Sequence, residues 1–248
     1  MSGGVGATCN DVSLVSKEAE DERPMKISSS SSPPKTNRAL LNFRQLNALA
    51  LIVVFSASGM VSIEDFVFLI FSFIYIYFLS KVAFPTTFPS ETPIFGENNR
   101  LLGIYVLFGA LIGLFLPIGY IFHGIVEGDK LGIKAASPHV FLLASQVFME
   151  GLTFSSRFSL PIRVFVPVFY NARRVLTIVD WLRTEIGKVD EEFSGSEMRL
   201  FVGRGLAIAN MVFWCFNLFG FLLPVYLPRA FKRYYGVTSA GDKVKAKD

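Results

Sequence analysis

Glu150 is an acid inside an otherwise apolar stretch, residues 140–156. An ionisable group at membrane depth is costly to keep there. It therefore marks a candidate for a polar intramembrane site. Asn210 and Asn217 lie seven apart in another apolar stretch. On a helix they share one face with Gly203 and Trp214. That face could line a polar path, or it could hydrogen-bond a neighbouring helix for about 0.6–2 kcal/mol per contact.

The other groups that could do chemistry assemble less well. His123, Glu127 and Asp129 cluster, with His139 nearby in sequence. Their spacing fits no zinc motif, and Glu127-Gly-Asp-Lys130 reads as an exposed turn. No metal and no cofactor is expected. The pair Gly203-Arg-Gly205 has no phosphate loop around it, and no nucleophile elbow or zinc-protease string occurs. The chain does not read as an enzyme. Its two cysteines, Cys9 and Cys215, lie in a polar tail and an apolar block, so a disulfide between them is not expected.

The elements that must position these groups are set by hydropathy. Hydrophobic residues make up 52% of the chain, only 18% are charged, and 26 residues are Phe. The apolar residues are gathered into blocks long enough to cross a bilayer, so lipid is the expected solvent. The fold class expected is all-α membrane, with four to five transmembrane helices plus one basic amphipathic interfacial helix. Residues 1–38 are polar, with a serine run before Pro33, and read as a disordered tail. Residues 39–235 form the membrane domain, and 236–248 a flexible basic C-terminal tail.

Spans are expected at 45–63, 66–84, 101–126 and 205–227, with Glu64-Asp65 as a tight turn between the first two. Residues 140–156 are borderline, because Glu150 opposes insertion by about as much as the apolar residues favour it. The third span carries Gly109 and Gly113 in a GxxxG pattern that lets helices approach closely, and Pro117, which should kink it. The string Gly113-Leu-Phe-Leu-Pro117 also resembles Gly220-Phe-Leu-Leu-Pro224 in the last span.

Residues 160–188 have apolar side chains at helical spacing and several arginines between them. Arg163, Arg173 and Arg174 together would cost on the order of 8–10 kcal/mol inside a span. A basic helix on the membrane surface is expected instead, with Arg173, Arg174 and Arg183 at anionic head groups. The alternative is that its apolar face packs on the bundle, and both can hold at once. The distribution of Lys and Arg favours a cytosolic N-terminus.

Three strings carry a family resemblance: His139-Val-Phe-Leu-Leu-Ala-Ser-Gln146, Arg173-Arg-Val-Leu-Thr-Ile-Val-Asp-Trp-Leu182, and Phe216-Asn-Leu-Phe-Gly-Phe-Leu-Leu-Pro-Val-Tyr-Leu-Pro-Arg-Ala-Phe231. They resemble a plant-specific family of multi-pass membrane proteins of unknown function, over roughly residues 40–235. The resemblance implies a membrane protein and brings no catalytic residues. The leading expectation is a non-enzymatic adaptor or structural component of an endomembrane or the plasma membrane. The alternative is a small transporter or channel using Glu150 and the Asn210/Asn217 face. The expected partners are a bilayer with anionic head groups and other membrane proteins; the net charge of +4 does not suggest nucleic acid.

Overall fold

The computed structural model describes residues 58–86, 100–154, 158–188 and 196–245. Among these residues the protein is all helix. A short 3-10 turn at Ser58–Met60 precedes α1, Ile63–Val82. Next come α2 (Arg100–Glu127), α3 (Lys130–Thr153) and α4 (Leu160–Gly187). The last helix, α5, starts as Glu197–Cys215, widens to π geometry over Phe216–Tyr226, and returns to α geometry over Leu227–Lys245.

Local chemistry sets several of these boundaries. Gly128 ends α2 in the left-handed region, φ 76°, which glycine enters without a Cβ penalty. Asp129 then caps α3 by accepting the Gly132 N–H, and Ser196 caps α5 by accepting the Arg199 N–H. In α2 the helix widens to π geometry at Leu111–Phe115, just before Pro117. Pro117 has no N–H for the Gly113 carbonyl four residues back. That carbonyl lies 2.9 Å from His139 Nε2 of α3. The second widened stretch contains Pro224. The two similar strings noted in the sequence thus fall at the two π stretches.

The helices alternate in direction. Asp129, before α3, meets Lys188, after α4, and further along Gln146 meets Arg174. Tyr105 and Tyr120 of α2 meet Asn217 and Arg199 of α5, so that pair is also antiparallel. Asp65 of α1 meets Arg173 of α4, while Ser159, before α4, donates to the Phe84 carbonyl beyond α1. α3 and α4 form the most extensive helix pair.

The distribution of polarity is inverted relative to a water-soluble bundle. The residues that α1 buries are Asp65, Ser72, Ile76 and Ser80, whereas Val67, Ile70, Ile74 and Phe78 are exposed. In α2, Leu101, Val106, Phe115 and Val126 face outward, and in α5, Phe201, Val212 and Phe219 do. An apolar exterior this extensive is stable only against an apolar solvent or an apolar partner. α1, α2 and Glu197–Gly236 of α5 are long and apolar enough to cross a membrane.

Several expectations change against this architecture. The first expected span, 45–63, lies through residue 57 outside the described residues. Glu64 and Asp65 are not a turn between spans but the first turn of α1, where the helix dipole favours acids and Arg173 pairs with both. The borderline segment becomes α3, lined on most sides by protein. The helix at 160–187 packs on the bundle: α4 buries Val164, Tyr170, Ile178 and Trp181 against the rest of it, while Leu176, Arg183 and Ile186 stay exposed. The helix that carries the last expected span starts earlier, at Glu197, and Arg199 and Arg204 have protein partners there. α5 also runs on through the residues read as a C-terminal tail, as far as Lys245.

Candidate functional site

Two polar assemblies occupy the bundle interior. The first sits where α2 ends, α3 begins, α4 ends and α5 begins. Asp129 Oδ2 accepts from Lys188 Nζ at 3.0 Å and from Arg199 Nε at 2.8 Å. Glu185 Oε2 accepts from Lys188 at 2.9 Å, and Glu185 Oε1 from the Tyr120 hydroxyl at 2.6 Å. The Arg199 guanidinium lies 4.1 Å from the centre of the Tyr120 ring. All four charged side chains are buried, two of each sign. Arg204 completes the arrangement by donating to the Glu185 and Lys188 carbonyls, which satisfies the C-terminus of α4.

Glycines make room for this cluster. A Cβ on Gly203 would stand 2.5 Å from Glu185 Oε2 and 2.7 Å from the Tyr120 hydroxyl, and one on Gly132 would collide with Asp129 and Tyr120. Asp129 shows how its environment sets its ionisation. Burial raises its pKa, but the Gly132 N–H, Lys188 and Arg199 outweigh that and hold the carboxyl below its ordinary value. The expectation of an exposed Glu127–Lys130 turn therefore fails at Asp129, which is 4% exposed. Of its sequence neighbours, His123 lies mostly exposed at 3.5 Å from Glu127. His139 is elsewhere, with its ring stacked on Trp181. No group of three or more metal-ligating side chains occurs among the described residues.

The second assembly lies deeper. Arg174 Nη1 donates to Gln146 Oε1 at 2.7 Å, and Gln146 Nε2 donates to Glu150 Oε1 at 2.8 Å. Arg174 Nη2 donates to Asn171, whose own amide donates to the Trp214 carbonyl. The Arg174 guanidinium lies 3.7 Å from the centre of the Trp214 ring, a cation–π contact. Asn210 accepts from Trp214 Nε1 at 3.1 Å and donates to the Ile112 carbonyl of α2. Asn217 accepts from the Tyr105 hydroxyl at 2.7 Å.

A cavity of about 360 Å³ opens beside this network, between α2, α3, α4 and α5. Glu150, Gln146, Arg163 and Asn217 supply polar lining; most of the rest is aliphatic or aromatic. Part of its α5 wall is the π stretch, including Asn217, Phe221 and Tyr226. Such widened turns recur at functional sites. Of the three polar residues singled out in the sequence, Glu150 and Asn217 line this one cavity. Asn210 does not, but it holds Trp214, which does.

The expected helix-packing residues also lie here. Gly109 faces Phe213, and a Cβ on Gly113 would stand 2.5 Å from Trp214. Pro117 is buried at the start of the second half of α2. Gly113→Val should therefore destabilise the protein by about 1–3 kcal/mol through overpacking. Gly119→Ala, with open space around it, should cost nothing measurable. Thermal unfolding of the reconstituted variants distinguishes the two.

The arginines expected at lipid head groups separate. Arg174 is fully buried and so is not a head-group contact; its partners are Gln146, Asn171 and Trp214. Arg173 pairs with Asp65 at 2.8 Å and Glu64 at 3.4 Å. Arg183 is exposed, 3.3 Å from Asp180. The residues that sequence reasoning missed are Tyr120, Glu185, Lys188 and Arg199. Glu185 and Lys188 are three apart at the end of α4, but nothing local in the sequence links them to Tyr120 of α2 or Arg199 of α5.

Polar networks inside and apolar helices outside define a helical membrane protein. The chain belongs to the family described as Domain of unknown function (DUF7733), which matches residues 41–235. No curated protein and no solved structure matches it.

Proposed function

We propose that this is a non-enzymatic, multi-pass membrane protein that receives a small molecule in the cavity between α2, α3, α4 and α5, as a small transporter or carrier does. The observation that carries this reading is the convergence of Glu150 and Asn217, from two separate apolar helices, on one cavity. Mostly apolar walls with a few placed polar groups are the usual composition of a small-molecule site. The adaptor role rests on the tails and on a surface helix. The meeting of Glu150 and Asn217 in one cavity favours the transporter alternative over the adaptor role. Arg183 remains available to anionic head groups.

Filling the cavity tests the reading. The protein is purified in lipid nanodiscs as wild type and as Ala110→Phe, which adds an aromatic ring at the cavity wall. Mass spectrometry of co-purified small molecules should show a species enriched with the wild type and depleted with the variant. Identical profiles from two equally folded preparations would overturn the proposal.

A further inference from the structure

The cavity's lining restricts the chemistry of what it holds. Resting on the small-molecule reading above, we infer that the cavity takes a neutral amphiphile: an apolar chain carrying one hydroxyl or amide that both donates and accepts hydrogen bonds. Three observations support this class.

The first is charge. Glu150 and Arg163 line the same cavity with opposite signs. Glu150 is also joined through Gln146 to the buried Arg174. A cationic head would find a carboxylate already linked to a cation, with a second cation in the same wall. An anionic head would meet the carboxylate itself. Either ion gives up its hydration and meets a like charge in the same cavity, which costs several kcal/mol.

The second is hydrogen-bonding capacity. Among the described residues only Gln146 donates to Glu150, and it does so at Oε1. The second carboxylate oxygen can accept from a ligand O–H or N–H. Asn217 uses its carbonyl oxygen on Tyr105. Its amide has two N–H groups to offer a ligand oxygen. An acceptor from α3 and a donor from α5 in one cavity match a hydroxyl or an amide.

The third is size and polarity. At about 30 Å³ for a water-sized group, 360 Å³ holds roughly a dozen non-hydrogen atoms. Gly109, Ala110 and Leu114 of α2, with Leu143 of α3, form an apolar part of the lining, which suits a chain. A medium-chain alcohol or amide, or a single chain of a larger neutral lipid, fits these limits.

The test uses the full chain in phosphatidylcholine nanodiscs and three terminally brominated probes: undecanol, undecyl sulfate and undecyltrimethylammonium. Bromine quenches nearby tryptophan, and the chain has two Trp, of which Trp214 lines the cavity. The readout is the quenching lost in Trp214→Phe. The alcohol should quench at a concentration at least about tenfold lower than either ion, the equivalent of one unmatched polar group. Glu150→Leu and Asn217→Leu should each weaken the alcohol about tenfold, while Glu150→Gln, which keeps an acceptor, should weaken it less. If either ion matches or exceeds the alcohol and Ala110→Phe still abolishes quenching, the neutral-ligand inference is wrong and the cavity reading stands. If Ala110→Phe leaves alcohol quenching unchanged, the cavity reading itself falls. Should Ala110→Phe fail to fold, Val106→Phe fills the same wall.

Discussion

Replacing Asp129 by alanine is expected to lower the thermal midpoint by about 6–20 °C. The substitution removes the buried carboxylate that Lys188 and Arg199 share. Breaking a buried ion pair from one side costs about 3–5 kcal/mol, and in a chain of this size each kcal/mol moves the midpoint by about 2–4 °C. The double variant Asp129→Asn, Lys188→Met removes one charge of each sign and should lose less than Asp129→Ala. If both variants unfold at the wild-type midpoint, the cluster does not hold the helix ends together.

The same carboxylate gives the protein an acid limit. Its folded pKa lies below the ordinary value, because the Gly132 N–H, Lys188 and Arg199 outweigh the effect of burial. Folding therefore favours the ionised form. The stability this contributes is fully present above the unfolded value near ~3.9 and is lost as pH falls through the lower folded value. Unfolding midpoints measured from neutral pH downward should fall below about pH 4 in the wild type. In Asp129→Asn that part of the fall should be missing.

The outer helices were legible because hydropathy is additive along the chain. Residues 66–84 and 101–126 lie largely within α1 and α2. The ends were less legible, because an acid or arginine stops a hydropathy window whether or not it has a partner. Asp65 and Arg199 look like boundary residues in sequence, yet both lie inside the bundle on partners more than 60 residues away. α4 shows a different limit. A helical period of apolar residues states that one face is buried but not whether lipid or protein buries it. The polar site was partly legible for a simple reason: Glu150 and Asn217 are anomalies in apolar surroundings. Glu185 and Lys188 sit among other charged residues, and nothing local distinguishes them from a solvated face.

The arginines of α4 turn that limit into a measurement. Arg173 and Arg174 are adjacent, so they point about 100° apart on the helix. One reaches Asp65 at the edge of α1, the other is enclosed between Gln146, Asn171 and Trp214. A surface helix would make Arg173, Arg174 and Arg183 nearly equivalent, each worth about 1 kcal/mol and weakened by salt. Burial makes them unequal. Arg174→Ala should destabilise by about 3–5 kcal/mol, because it leaves a void beside Trp214 and strands the Gln146–Glu150 pair in the interior. Salt should barely change that loss, since enclosed charges are poorly screened. Arg173→Ala should cost less but still register, because it leaves Asp65 buried without its cation. Arg183→Ala should change nothing measurable, since both it and Asp180 are solvated. The check is thermal unfolding of the three variants in nanodiscs at low and high salt. Equal losses that shrink together as salt rises would return α4 to the membrane surface and contradict the packing of Arg174 on Trp214.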